Sequence, residues 1–185
     1  MIFDLEFTAW EGSMARGWQG EGEHREVVEI GAVRLASSGL EEEAAFSVLV
    51  RPRINPLLSD YLQALTGITN EDIARHGVDF AEAYGDFLAF LGDAPAYSYG
   101  RDDLVLAENL RLYGLGEPED VPPARDLRSW LTGQGVDVGA LNSSEVAAAV
   151  GAEGVGHVHR ALDDARSLAA ALRALVARGA PSPFL

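Results

Sequence analysis

Two carboxylates stand two residues apart near the start of the chain, Asp4 and Glu6. In a β-strand both side chains would leave the same face, while Phe3, Leu5 and Phe7 would point to the opposite face and a core. Adjacent carboxylates repel each other unless they share a cation or a proton, and divalent ions such as Mg²⁺ prefer oxygen ligands. The pair is therefore a candidate metal site. A solvated strand face is the simpler explanation for an isolated pair of this kind.

A histidine and an acid near the C-terminus form a second candidate group. His159 and Asp164 open the longest predicted helix, and five helical residues would place them about 140° apart. Both reach one site if His159 lies on the entering loop and Asp164 on the first or second turn. Asp163 and Asp164 also have a purely structural explanation, because acids favour the positive end of the helix dipole.

A third candidate acid follows a short predicted strand, where Tyr99 and Gly100 lead into Asp102 and Asp103. Catalytic residues often occupy the turn from a strand into a helix in α/β domains. Capping of the helix by Asp102 is the structural alternative at this place.

The elements that must position these residues follow from hydrophobic patterns and turn residues. Alternating or β-branched segments predict strands over 1–8, 26–36, 44–51 and 95–99, the first three forming an antiparallel meander. Helical periods and caps predict helices from Ser59 to Gly67, Thr69 to Gly77, 80–91, 103–113, 143–150 and 160–178. Residues 9–25 read as a long loop. These elements predict a single α/β domain over residues 1–185.

The composition limits the class of protein and the kind of partner. The 185 residues include 29 acids and 14 basic residues, all of them Arg, for a formal net charge of −15. That balance argues against a protein that coats duplexes through a broad basic surface. The absence of Cys excludes disulfides and thiolate metal sites. No long apolar run or signal-like N-terminus is present, so we expect a cytoplasmic protein without membrane association.

Three segments together resemble the DEDDh group of 3′–5′ exonucleases, which have a ribonuclease H-like fold. The matching segments are FDLEFT at 3–8, SYGRDDL at 98–104 and the H-x-A-x-x-D pattern beginning at His159. The second is similar to a W-G-x-x-D pattern, which selects Asp103 over Asp102, and the third selects His159 over His157. The segments EVVEIGAV at 26–33 and LTGIT at 65–69 also look like parts of this family. The long first loop resembles the Eri-type branch.

The resemblance implies a mixed sheet, with three antiparallel strands followed by parallel strands and flanking helices. It also implies hydrolysis at the 3′ end of RNA or single-stranded DNA, releasing nucleoside 5′-monophosphates. Two Mg²⁺ or Mn²⁺ ions would be held by four carboxylates, and His159 would be the general base. The implied metal ligands are Asp4, Glu6, Asp103 and Asp164.

The resemblance implies that the backbone and side chains around Phe7 and Thr8 contact the terminal ribose, with Thr66 near it. Trp10 and Trp18 are candidates for stacking on bases, with packing of the loop as the alternative. Candidate phosphate contacts are Arg16, Arg25 and Arg101. The acidity favours contact with only a short 3′ end.

Two other functions stay open at this stage. One is a DNA proofreading or repair exonuclease, and the other is a catalytically silent ribonuclease H-like module that binds a protein. A homodimer also stays open.

Overall fold

The central sheet contains the four segments that the sequence predicts as strands, together with one further strand. The computed structural model describes residues 1–184 and contains β1 (Ile2–Phe7), β2 (Val27–Leu35), β3 (Glu42–Leu49), β4 (Ala96–Ser98) and β5 (Ala124–Asp126). Their order across the sheet is β3-β2-β1-β4-β5. The first three strands pair antiparallel, whereas β4 runs parallel to β1 and β5 parallel to β4. The predicted mixed sheet is confirmed, with β5 as a strand that the sequence analysis missed.

The helices begin and end largely where caps predict them. They are α1 (Ser13–Arg16), α2 (Asp60–Thr66), α3 (Asn70–His76), α4 (Phe80–Leu91), α5 (Asp102–Tyr113), α6 (Leu127–Gly133), α7 (Val146–Ala149) and α8 (Ala161–Ala177). The Ser59 side chain caps α2, and Thr69 forms a capping box with Asp72 on α3. The predicted helix at 143–150 is instead a 3₁₀ turn over Ser143–Glu145 followed by the four residues of α7.

Both faces of the sheet are covered. Phe3 and Leu5 of β1 belong to a core built with α4 and α5, as the alternation predicts. Ile2, on the other face, packs in a second core with α8. Asp4 and Glu6 share the side of Ile2, so the two acids face the helix that follows His159.

Gly31 allows α8 to lie unusually close to the sheet. A Cβ atom at this position of β2 would lie 2.1 Å from the backbone nitrogen of Leu162. The backbones of β2 and the first turn of α8 are therefore in direct contact. This contact fixes the distance between the acids of β1 and the residues that open α8.

Within residues 1–184, no helix has the length and apolarity needed to cross a bilayer.

Candidate active site

A pocket of about 500 Å³ gathers most of the predicted catalytic side chains. Asp4 and Glu6 enter it from β1, and His159 and Asp164 enter it from the start of α8. Ligand-type atoms of Glu6, His159 and Asp164 all lie within 4.8 Å of one another. Asp4, Glu6 and Asp164 are nevertheless at most 9% exposed. The structure thus brings together four of the five predicted catalytic residues.

The structure places Asp102 in this pocket, whereas its neighbour Asp103, the predicted ligand, does not line it. Asp102 lines the pocket, and its charge acts on both Asp4 and Glu6. Asp103 instead accepts two hydrogen bonds from the Arg101 guanidinium, from Nε and Nη2, each 2.9 Å long. That ion pair engages both oxygens of Asp103 outside the pocket. The acid that joins the cluster is therefore Asp102.

Crowding of carboxylates out of contact with water changes their acidity. Burial, and then the charges of Asp102, Glu6 and Asp164, raise the pKa of Asp4 well above its usual range. Burial and the charges of Asp164 and Glu29 do the same for Glu6. Burial is also the main reason why the pKa of Asp102 rises to about 7 and that of Asp164 to about 6. Without a cation, this cluster retains protons near neutral pH.

Two oxygen atoms in the cluster have no partner within the described chain. Asp102 Oδ2 and Asp164 Oδ1 are buried and accept no hydrogen bond. A buried carboxylate oxygen without a partner is costly, and divalent cations such as Mg²⁺ and Mn²⁺ satisfy such oxygens. The donor set and these unpartnered atoms fit a divalent metal site.

His159 stands at the edge of this cluster in an unusual backbone conformation. Its φ of 61° lies in the left-handed region, which residues other than glycine adopt rarely and at some cost in energy. The conformation precedes the first turn of α8 and directs the imidazole into the pocket. Burial lowers the pKa of His159, opposed by the charge of Glu145. The imidazole is therefore neutral at pH 7 and able to accept a proton.

Two of the four predicted substrate contacts line the pocket. Phe7 and Trp10 do so, on the same side as Met14 and Tyr61. Met14 is 77% and Tyr61 43% exposed, so this side offers an apolar surface to a ligand. An aromatic and apolar wall of this kind suits stacking of a base.

The other two predicted contacts, Thr8 and Thr66, have structural roles instead. The Thr8 hydroxyl is buried, donates to His24 O and accepts from Glu26 N, so it ties the two ends of the long loop together. The Thr66 hydroxyl is fully buried, donates to Leu62 O and accepts from Ile68 N at the end of α2. Neither side chain lines the pocket, because internal hydrogen bonds hold both hydroxyls inside the fold.

The candidate phosphate contacts are already paired with acids. Arg16 pairs with Glu23, Arg25 with Glu108 and Arg101 with Asp103. These carboxylates already offset the positive charge of each guanidinium, although some of its five N–H donors stay available to a phosphate.

Trp18 also has an internal role. Its indole nitrogen donates to Thr8 O, and Phe7 packs edge-on against its ring. The ring of Trp18 thus packs within the loop and also lines the pocket, so base stacking by Trp18 stays a prediction.

The sequence analysis missed the wall formed by residues 139–143. Its Ser143 hydroxyl donates to Asp164 Oδ2 over 3.3 Å. The Tyr99 hydroxyl donates to Leu141 O over 3.0 Å and anchors this segment. No sequence signal shows that the segment leading into the predicted helix at 143–150 folds back over the acids.

We expect the metal-free protein to lose stability as the pH rises from about 4 to 8. Burial raises the pKa of Asp102 to about 7 and that of Asp164 to about 6, well above the ordinary aspartate value of 3.8. In this range the folded state binds more protons than the unfolded chain, so the free energy of unfolding falls as the pH rises through the folded values. Two groups oppose this trend: His159, with its lowered pKa, and the Met1 amine, whose pKa burial lowers to about 6, but the acids with raised pKa values outnumber them.

Thermal unfolding followed by circular dichroism in EDTA should give a lower Tm at pH 8 than at pH 5. Added Mg²⁺ or Mn²⁺ should raise the Tm more at pH 8, because protons no longer compete for the carboxylates. A Tm in EDTA that climbs steadily from pH 5 to pH 8 would contradict the buried, protonated cluster.

Comparison with known protein families decides the classification. The family model RNase_T, described as exonuclease, matches residues 1–172. The chain belongs to this exonuclease family. The membership predicted from the three sequence motifs is thereby confirmed.

The curated relatives of this exonuclease domain match it over a limited segment. Human 3′-5′ exoribonuclease 1 is 40% identical over 74 residues, which are 40% of this chain and 20% of that protein. ERI1 exoribonuclease 2 of Xenopus laevis is 35% identical over 75 residues, which are 40% of this chain and 10% of that protein. The matches thus span a fifth or less of the length of these relatives.

Solved structures share the fold of this exonuclease domain over nearly its whole length. The nuclease domain of 3′hExo, a DEDDh family member bound to rAMP, has a TM-score of 0.82 and 24% identity, covering 100% of this chain and 94% of that one. Cell-death related nuclease 4 has a TM-score of 0.77 and 19% identity, covering 97% and 64%. The predicted fold class is confirmed by these similarities.

Proposed function

We propose that this chain is a metal-dependent 3′–5′ exonuclease of the Eri-type branch. The observation that carries the proposal is the convergence of Asp4, Glu6, Asp102, Asp164 and His159 on one pocket. The relatives named as 3′-5′ exoribonucleases support the direction of attack and an RNA substrate. Similar structures are described with rAMP, with a histone mRNA stem-loop and with a dA16 oligonucleotide. The proposed substrate is therefore either RNA or single-stranded DNA.

The proposed metal ligands are the four carboxylates Asp4, Glu6, Asp102 and Asp164, with two Mg²⁺ or Mn²⁺ ions as the cofactor. Bound divalent ions would lower the pKa of water at the site and offset the negative charge of the phosphodiester. The protein's own part is to hold four acids in a buried pocket where they cannot spread apart. This arrangement explains why their pKa values are raised and why two of their oxygens lack partners.

His159 is the proposed general base. The neutral imidazole accepts the proton of the attacking water, the new P–O bond forms, and the bond from phosphorus to the 3′ oxygen of the preceding nucleotide breaks. That oxygen takes up a proton from solvent, so the products are a nucleoside 5′-monophosphate and a strand shortened by one nucleotide. Phe7 and Trp10 line the pocket and are the proposed packing surface for the terminal nucleotide.

The charge distribution favours a short contact with the 3′ end. Eight of the fourteen arginines form ion pairs with acids of the same chain. Arg128 is the one arginine among the residues lining the pocket, and it is paired with Asp126. Binding along a strand requires many phosphate contacts from free cations. The enzyme is therefore proposed to grip one or two terminal nucleotides.

Oligonucleotides labelled at the 5′ end test the activity and its direction. With Mg²⁺ or Mn²⁺ we expect a ladder of labelled products that shorten one nucleotide at a time, and no cleavage in EDTA. RNA and DNA of the same sequence, at lengths of about 4 and 24 nucleotides, compare substrate class and footprint. Immediate release of a labelled mononucleotide, or internal cuts, would contradict attack from the 3′ end. Intact substrate under every condition would favour the silent module.

A DNA repair role is the second candidate, favoured by the similarity to exonuclease I with bound DNA. Faster shortening of DNA than of RNA in the same assay would support it. The cytoplasmic location and the homodimer stay predictions, for cell fractionation and sedimentation respectively.

A further inference from the structure

Glu29 is a buried acid beside the pocket that the proposed chemistry does not use. It lies on β2 directly opposite Glu6 of β1 and is 1% exposed. Its carboxylate accepts hydrogen bonds from Arg160, from Nη2 over 2.8 Å and from Nε over 3.1 Å. A third bond comes from the backbone nitrogen of Ala161 over 2.9 Å. Every contact thus leads from the sheet to the two residues after His159.

These bonds cap α8 from outside the helix. Arg160 occupies the N-cap position of α8, yet no side chain at that position accepts from the helix backbone. The Glu29 carboxylate supplies the missing acceptor to the first helical nitrogen, that of Ala161. Its negative charge also complements the positive end of the helix dipole. The start of α8 is therefore attached to the sheet by a buried ionic and hydrogen-bonded joint.

The joint lies between the two functional residues that α8 contributes. On one side His159 holds a left-handed backbone conformation, which persists only if its neighbours are fixed. On the other side the Asp164 nitrogen donates to Arg160 O over 2.8 Å, so the turn that carries Asp164 is built on Arg160. Movement of Arg160 would displace both side chains relative to Asp4 and Glu6.

We propose that Glu29 is a positioning residue, which sets the placement of His159 and Asp164 through Arg160 and Ala161. This role rests on the proposed exonuclease function. Glu29 itself neither lines the pocket nor holds the cofactor. Displacements of about 1 Å at a reacting group are known to lower rates substantially, so loss of the joint should affect turnover more than binding.

The chain offers a matched control in Glu26, three residues earlier. Glu26 is also fully buried, and its carboxylate accepts from the backbone nitrogens of Arg53, Ile54 and Asn55 and from the Tyr113 hydroxyl. Those partners lie in the segment before α2 and at the end of α5, and none of them belongs to α8. A change at Glu26 therefore removes a comparable buried charge without loosening the joint.

The test compares E29Q with E26Q on a 5′-labelled single strand. We expect E29Q to lower kcat about 10- to 100-fold, the range known for groups that orient catalytic ligands, with KM within about 2-fold. E26Q should lower the Tm to a similar extent while kcat stays within about 3-fold of wild type. Equal kcat losses in the two variants, or an unchanged kcat in E29Q, would overturn the proposal.

The partner of Glu29 provides a second route if E29Q folds poorly. Arg160 is partly exposed, so R160Q is a milder change of the same joint. R160Q should lower kcat as E29Q does, and the double variant should lose no more than E29Q alone, because the two residues act as a unit. Additive losses in the double variant would contradict a shared joint.

Amide hydrogen exchange gives a readout that does not depend on activity. The amides of the first turn of α8, from Ala161 onward, should exchange faster in E29Q than in wild type and E26Q. If wild type cleaves no strand, the exonuclease proposal fails while faster exchange still supports the joint. If wild type is active but exchange at this turn is unchanged in E29Q, the positioning role fails alone.

Discussion

Asp102→Asn is expected to lower kcat at least about 100-fold and to weaken Mn²⁺ binding, whereas Asp103→Asn should leave both close to wild type. Asparagine has nearly the same volume as Asp102 but lacks its negative charge, which acts on both Asp4 and Glu6. Replacing a residue that only hydrogen-bonds to a metal ligand lowers activity or metal affinity about 10- to 100-fold. Loss of a carboxylate ligand itself should lower them more. Asp103 is buried but holds the exposed Arg101, so its replacement weakens an ion pair outside the pocket.

Single-turnover rates and calorimetric titration with Mn²⁺ measure these two effects separately. D103N is the matched control, since it makes the same chemical change one residue away. A collapse of activity in D103N together with a mild effect in D102N would restore the order that the W-G-x-x-D resemblance implies. Equal, severe loss in both variants would show that both acids act at the site.

His159→Ala should lower kcat about 10²- to 10⁴-fold, the range for removal of a general acid–base group. Metal binding should be largely retained, because the four carboxylates stay in place. The rate of the wild type should fall at acid pH as His159 becomes protonated, at a pH below 6.5 because burial lowers its pKa. In H159A that acid limb should disappear, and added imidazole should restore part of the rate.

His157→Ala is the control for this experiment. His157 lies two residues away, is exposed and directs its Nδ1 at the backbone oxygen of Val158. It should keep wild-type kcat and the acid limb. Full activity of H159A between pH 6 and 8 would exclude His159 as the base.

The sequence predicts the parts of this site that depend on local periodicity. The alternation around Asp4 and Glu6 fixes which side chains share a face of β1, and this needs no knowledge of other elements. The spacing of His159 and Asp164 likewise follows from a loop entering a helix. Their convergence with the acids of β1 came from the family resemblance rather than from periodicity.

The choice between Asp102 and Asp103 lies beyond local patterns. Both residues have buried partners three and four positions later on α5, so the helical period does not separate them. The two acids differ in their position relative to Asp4 of β1, and this depends on how α5 packs against the sheet. The roles of Thr8 and Thr66 were missed for a related reason, because a hydroxyl in a sequence does not show whether the backbone already occupies it.

The shortest elements, β5 and α1, could not be predicted from the sequence either. The three residues of β5 are recognised as a strand because β4 pairs with them in parallel, not because of their own pattern. The four residues of α1 follow Gly12 with φ 77° inside a glycine-rich loop. Segments of this length carry too little periodicity to stand out from loops.

The close contact at Gly31 has a geometric consequence for how this enzyme can vary. Because the backbone of α8 already touches β2 there, the gap across the pocket has a lower bound set by atomic radii. A side chain at position 31 would push α8 away from β2. Substitutions there can therefore only increase the distance between the acids of β1 and the residues that open α8. Gly31 thus allows the smallest possible separation between β2 and α8. The width of the pocket is set by the contact between these two backbones rather than by side chains.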